Sequence, residues 1–171
     1  MSNPVFEAVR TMLAVREYQD REVPDEVLRR CVEAARLTAS SMNRQPWHFI
    51  LVRRPETLNQ LGGLATTGRY IASAAAAVVV AVERESRFAV SDASRAIQSM
   101  TLTAWADGVG SNWVGFGGLD GVAALLGVPD THDVLAIIPL GYPRNPVGRG
   151  VKNRRPPAEV VSAERFGTPL P

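Results

Sequence analysis

The chain has 171 residues, of which 46% are hydrophobic and 21% charged, and these globular proportions exclude a disordered or fibrous polypeptide. A chain of this length makes one ordinary domain with a real core. Its formal net charge of +2 is too small to argue for nucleic acid. Its one cysteine, Cys31, excludes a disulfide framework and fits a reducing compartment. The opening residues lack a basic segment followed by an apolar one. The longest apolar run, Ile71 to Val82 with Ser73 inside it, falls short of the ~20 residues of a spanning helix. The expectation is a soluble, cytoplasmic protein that binds neither membrane nor nucleic acid.

Asn3-Pro4 reads as a cap followed by proline at the first helical position. Phe6, Val9, Met12 and Leu13 recur at helical spacing, so a first helix is expected to end near Ala14. Val23-Pro24-Asp25-Glu26 opens a second helix with acids in its first turn, where the helix dipole favours them. Val27, Leu28, Cys31, Val32 and Ala35 form its buried face. Cys31 lies in that pattern and reads as apolar filler rather than a nucleophile. Phe49 to Val52 is expected as a short strand, and Glu56 to Leu64 as a helix weakened by Gly62-Gly63.

Ala77 to Val82 is continuously apolar and valine-rich, the mark of a strand buried on both faces. Ser91-Asp92 is expected to cap a long helix running to Asp107 and closed by Gly108. A glycine-rich strand, Val109 to Phe116, follows. A short helix from Asp120 to Leu126 and a buried strand from Val134 to Leu140 complete the periodic part. From Arg144 the chain is rich in Pro, Gly and Arg and has no periodicity, and such a tail is ordered only if something ties it down. The order of elements argues for a mixed sheet flanked by helices. It is consistent with one domain over residues 1–171, of which 144–171 are an extended basic tail.

The chemistry is concentrated in Ser40-Ser41-Met42-Asn43-Arg44-Gln45-Pro46-Trp47-His48-Phe49. Two hydroxyls and two amides on short side chains can read the edge of a polar heterocycle. Pro46 fixes its own φ and turns Gln45 away from helix, which stiffens the loop. The plain alternative is a helix-to-strand turn with Trp47 in the core. Elsewhere, no Cys–His or His–His spacing fits a metal site. There is no Gly-x-Ser-x-Gly elbow, no phosphate-loop motif and no dinucleotide fingerprint. An enzyme without an evident nucleophile or acid–base team fits chemistry carried by a cofactor.

The loop, preceded by Glu33-Ala34-Ala35-Arg36-Leu37-Thr38-Ala39, resembles the flavin-binding loop of the nitroreductase family, with its Glu-Ala-Ala followed by Pro-Ser-Ser-x-Asn-x-Gln-Pro-Trp-x-Phe. Ala39 stands where the family usually has proline. Met12-Leu13-Ala14-Val15-Arg16-Glu17-Tyr18 resembles the family's first phosphate-binding motif, Arg-Arg-Ser-x-Arg-x-Phe. Only Arg16 is retained among its charged positions, and each lost charge-assisted bond to a phosphate removes roughly 1.5–3 kcal/mol. Residues Val151 to Val161, with Lys152 and Arg154, resemble the family's carboxy-terminal Lys-x-Arg-x-Pro segment. Lys152 is the only lysine in the chain, and five basic residues and no acids lie between Arg144 and Arg155. An arginine fork beside a lysine point charge suits a phosphate dianion. The stretches Asp92 to Met100 and Trp105 to Gly115 resemble the family's central helix and following glycine strand, with Gly115 and Phe116 placed against the cofactor ring. At Gly115 and Phe116 plain core packing explains the residues equally well. Pro129 to Pro143 resembles the family's last strand.

The resemblance implies an α+β fold, a mixed central sheet flanked by helices, in an intertwined homodimer with FMN at the interface. The implied reaction is ping-pong: NADH or NADPH reduces the flavin at N5, and a nitroaromatic, quinone or similar electron-poor acceptor reoxidises it, with no catalytic side chain. The implied cofactor-binding set is Met12, Leu13, Ala14, Arg16, Ala39, Ser40, Ser41, Asn43, Gly115, Phe116, Lys152 and Arg154. The basic tail would close on the cofactor or on the partner subunit. The altered Met12-Leu13-Ala14 motif also fits a flavin or deazaflavin carrier without turnover. A basic-tailed nucleic-acid binder is disfavoured, because no aromatic-interleaved basic surface is present.

Overall fold

The computed structural model describes residues 3–115, 119–147 and 152–171. The helices are α1 (Pro4–Thr11), α2 (Asp25–Arg36), α3 (Pro55–Leu64), α4 (Ala89–Ala106), α5 (Leu119–Leu126) and α6 (Pro157–Val160). The strands are β1 (Trp47–Val52), β2 (Ala76–Glu83), β3 (Gly110–Ser111) and β4 (His132–Gly141). They form one sheet in the order β1-β2-β4-β3. Every pairing between these strands is antiparallel. The parallel pairing is an isolated bridge between Ala14 and Ser111 at the β3 edge.

The sheet is covered on both faces, and β2 shows why its sequence is apolar throughout. Ala76, Val78, Val80 and Val82 point into a core shared with α2 and α4. Ala77 and Val79 point into a second core with Leu58 and Leu61 of α3 and Val122 of α5. Successive strand residues face opposite sides, so a strand between two helical layers has no polar position. The expected two-sided burial of this strand is what the structure has. β4 alternates in the same way, with Ala136, Ile138 and Leu140 on the first side and Ile137 on the second. Its register against β2 slips by one residue between Val80 and Ala81.

Several boundaries differ from the sequence expectation, each for a tertiary reason. α1 keeps its cap: the Asn3 side chain accepts from the N–H of Val5 and of Phe6 at 3.0 and 3.1 Å. It ends at Thr11 rather than near Ala14, because Val15 donates its N–H to Ser111 O at 2.9 Å and the chain must be extended to do so. α4 starts at Ala89, before Ser91 and Asp92, so neither caps it. The strand expected over Val109 to Phe116 is reduced to Gly110–Ser111. Val109 is drawn back to Ala104 O at the helix end, and Val114 rejoins β4 through a bridge to Ile137. Phe116 lies outside the described residues.

α1 buries none of its residues, and Val5, Phe6 and Val9 stand exposed. In the tail Val160, Val161 and the fully exposed Phe166 do the same. Among the described residues no helix is long and apolar enough to cross a membrane.

Candidate functional site

The chain between α2 and β1 follows a path that few sequences adopt. Met42, Asn43 and Gln45 have φ of 51°, 54° and 54°, in the left-handed region that costs a non-glycine residue about 1–2 kcal/mol. Asparagine tolerates that region best. For Gln45 the following proline makes the helical alternative costly. Local bonds offset the strain. Asn43 N–H reaches Ser40 O at 3.0 Å, Arg44 N–H reaches Ser41 O at 3.1 Å, and Trp47 N–H reaches Gln45 O at 2.8 Å. Gln45 N–H donates to Ser40 Oγ at 2.9 Å.

A longer-range tie completes the loop. Asp92, inside α4 and fully buried, accepts from Ser41 N–H at 3.0 Å and from Ser41 Oγ at 3.4 Å. Arg95, one turn on, pairs with the same carboxylate. A buried carboxylate is stable only when it is paired and hydrogen-bonded, and these donors satisfy it. Thr38 adds a second tie to α4 by donating to Ser99 Oγ at 2.8 Å. Sequence reading placed Asp92 as a helix cap and missed this role. The only signal was an acid in a segment that matched the family helix.

Asn43 is exposed, as is Ala39, while Ser40 and Ser41 are half-buried. Ser40 spends a lone pair on Gln45 N–H, so its own proton remains to donate. Ser41 spends its proton on Asp92, so its oxygen remains to accept. The loop thus presents a hydroxyl donor, a hydroxyl acceptor and an amide within four residues. Trp47 and Phe49 do not join this polar edge. Their rings lie 6.1 Å apart and pack against the core beneath α2 and α4.

The other sequence-predicted residues collect elsewhere. Met12 caps α1, with its N–H on Ala8 O at 2.9 Å, and Leu13 and Ala14 carry the chain to the sheet edge. Beyond them Val15 is buried and Arg16 exposed. Tyr18 is buried and donates its hydroxyl to Val15 O at 2.8 Å, which pins the segment. Burial pushes the Tyr18 phenol up, Tyr70 adds to that shift and Arg16 opposes it.

Two glycines make this docking feasible. A Cβ on Gly110 would lie 2.5 Å from Val15 Cγ2, and one on its cross-strand partner Gly141 would lie 2.8 Å from the Tyr18 ring. The tail reaches the same neighbourhood: Lys152 donates its ammonium to Val9 O in the last turn of α1. Desolvation first, and the charge of Arg154 second, lower the Lys152 pKa. Arg154 lies near enough to Lys152 to act on it, and is itself exposed. Gly115 sits one residue past the Val114 bridge. A Cβ there would meet the Trp113 indole nitrogen at 2.4 Å, so the close approach that this glycine permits comes from the chain's own Trp113.

The two groups lie far apart within one chain. The Ser40–Gln45 loop is tied to Asp92 near the start of α4, whereas Val109 closes on Ala104 at its end and Trp105 donates to Thr11 Oγ1 at 2.9 Å. Asp92 and Ala104 are about 18 Å apart along the axis at ~1.5 Å per residue. The loop also leads into β1 at one edge of the sheet, and Ala14 bridges β3 at the other. No group of three or more His, Cys, Asp or Glu that could hold a metal occurs among the described residues.

The structure is an α+β protein with both sheet faces covered, a stiff polar loop leading into β1 at one edge, and Arg16 just beyond the bridge to β3 at the other. Comparison with known proteins is specific about the class: the model of the nitroreductase family matches residues 10–82 and 64–142. The chain belongs to the nitroreductase family. It is 36% identical over 147 residues to a protein provisionally named NADH dehydrogenase/NAD(P)H nitroreductase from Methanothermobacter thermautotrophicus, covering 81% of this chain and 77% of that one. A crystal structure of a provisionally named NADH dehydrogenase/NAD(P)H nitroreductase from Parabacteroides distasonis superposes with a TM-score of 0.89 at 26% identity, covering 96% of this chain and all of that one. A provisionally named nitroreductase from Desulfovibrio desulfuricans, solved in complex with FMN, gives 0.82 at 30% identity over 97% of this chain and 99% of that one.

Proposed function

We propose that this chain is an FMN-dependent oxidoreductase that takes electrons from NADH or NADPH and passes them to a nitroaromatic, a quinone or a similar electron-poor acceptor. The observation that carries the reading is the Ser40–Gln45 loop. Its three left-handed residues are held by bonds that leave the Asn43 side chain exposed and the Ser40 proton and the Ser41 lone pairs unspent. A loop held in this way before its ligand arrives spends little ordering entropy on binding. FMN suits both groups of residues: its heterocycle offers donors and acceptors along one edge, and its phosphate calls for Arg16, Lys152 and Arg154. Met12, Leu13 and Ala14 would place no charge beside the phosphate, and Lys152 brings one to the end of α1, just before them.

When bound, FMN supplies a two-electron carrier that accepts hydride at N5 and gives the electrons up again in a ping-pong cycle. The chain's own residues bind, orient and neutralise it.

The separation of the two groups across α4 supports a homodimer in which one copy brings the loop and another brings Arg16 and the tail. The apolar residues exposed on α1 and at Val160, Val161 and Phe166 would then be covered by the partner. In this arrangement residues 144–171 belong to the one domain and close on the cofactor or on the partner subunit.

The test is the visible spectrum of the purified protein after FMN addition and desalting, followed by NADH and NADPH oxidation with menadione or nitrofurazone as acceptor. Flavin bands near one per subunit with turnover are expected. A colourless protein overturns the reading. Retained FMN that NAD(P)H fails to reduce would instead favour a carrier, the role that the uncharged Met12-Leu13-Ala14 segment suits.

A further inference from the structure

We infer that Asp92 is a positioning residue: its buried carboxylate holds the Ser40–Gln45 loop in its left-handed path and turns the Ser41 hydroxyl into an acceptor for the cofactor. Its holding of the loop stands on the geometry alone. The cofactor part rests on the FMN reading above.

Three observations converge on this carboxylate. Asp92 is fully buried, yet both of its oxygens are engaged by Ser41: Oδ2 by the N–H at 3.0 Å and Oδ1 by Oγ at 3.4 Å. The contact sits at the entry to a run in which Met42, Asn43 and Gln45 all have positive φ, so release of Ser41 would let the strained run relax. The counterion, Arg95, is half-exposed and lies one turn along α4, outside the loop. The charge is therefore balanced without using a group that the ligand needs. An ionised carboxylate is acceptor-only, so the Ser41 proton is committed inward and only its lone pairs face out. The complementary ligand group is a donor, such as a ring N–H or a ribityl hydroxyl. Asp92 touches neither the cofactor nor the reacting atoms and acts through Ser41.

Asp92→Asn is the informative variant, because its amide has one acceptor oxygen, which Arg95 and the Ser41 N–H must compete for, and its NH2 meets whichever of these donors loses. Two quantities are read: the FMN dissociation constant by fluorescence quenching, and amide exchange at Ser41 by NMR in the FMN-free protein. In the wild type, Ser41 N–H is expected to exchange on the order of 100-fold slower than an open-chain amide. In a folded Asp92→Asn variant that protection is lost and the FMN dissociation constant rises about tenfold or more, as for loss of a bond to a charged group. Adding Ser41→Ala to Asp92→Asn costs little more, because the two act as one unit.

A folded variant with wild-type FMN affinity overturns the inference, as do losses that simply add in the double variant. Should Asp92→Asn fail to fold, wild-type exchange decides: a protected Ser41 amide supports the inference and an open-chain rate overturns it. A wild type that holds no FMN but shows Asp92-dependent protection sinks the FMN reading and leaves the loop-holding role standing.

Discussion

The two ends of α4 solve the same problem in opposite ways. At its start, the Ser40–Gln45 loop is held from within by its own backbone bonds and by the buried carboxylate of Asp92. At its end, Met12 to Arg16 is held by the sheet edge against Gly110 and Gly141, and its charged partners arrive from the tail. The first region carries its shape with it, and apart from the exposed Arg44 its polar groups are neutral and short. The second depends on packing, and the cations proposed for it are long: Arg16 and Arg154 are exposed, while Lys152 is partly buried on Val9 O. On the proposed reading, a heterocycle edge needs precise donors and acceptors and would reward the rigid loop. A phosphate needs charge, which long and mobile side chains deliver well.

The largest effect is expected at the cationic end. Lys152→Met should raise the FMN dissociation constant about 10- to 150-fold, from a lost charged bond of roughly 1.5–3 kcal/mol. Titration in rising salt should narrow the gap between wild type and variant. An equal loss at every salt concentration would contradict a phosphate role.

Next comes Gly110→Ala. Its Cβ would press on the stiff Val15 side chain, at an expected cost of about 1–3 kcal/mol. That corresponds to a fall in Tm of roughly 2–4 °C per kcal/mol for a chain of this size. Ser41 exchange should stay as in wild type, because the two ends are independent. Coupled loss of both would break the comparison.

Met42→Gly relieves one strained position in an exposed residue. The FMN-free protein should gain up to about 1 kcal/mol, read by chemical denaturation, while FMN binds more weakly because the loop is less ordered beforehand. Tighter binding would show that the left-handed path is not the one used.

The smallest effect concerns the core beneath both regions. Burial pushes the Cys31 thiol up to about 11, an effect that Asp107 reinforces and Arg30 opposes. A folded pKa above the unfolded one gives stability that is full below about pH 8.5 and fades as pH rises through the folded value. Cys31 should therefore resist alkylation at pH 8 in the folded protein and react on unfolding. Rapid labelling of the native protein would mean that α2 opens.

Much of the fold could be read from periodicity alone. α2 buries the face expected of it, and β2 is apolar on both sides because both sides are covered. The cap at Asn3 and the closing Gly108, with φ of 77°, follow from local chemistry. Boundaries set by distant partners could not be read. α1 stops early because Ser111 claims Val15, and the strand after α4 shrinks because Ala104 claims Val109. The Ser40–Gln45 loop was legible as a string of short polar side chains ending in Pro-Trp, since its character lies in consecutive residues. Asp92 was not, because its partner Ser41 lies 51 positions away and an acid near a helix start has an ordinary local explanation.

The sequence by itself determined the ingredients: a stiff loop of short polar side chains, a lone lysine with neighbouring arginines, and the apolar strands and helix faces that make two layers about a sheet. Those are properties of residue types and short spacings, and they survive without a fold. Only the tertiary structure decided where those groups stand. It set the loop and the Met12–Arg16 segment at opposite edges of the sheet, brought Lys152 to the end of α1, committed the Ser41 proton to a buried carboxylate, and placed Trp113 against Gly115. Each of these depends on contacts between residues distant in the chain, which short-range sequence patterns do not specify.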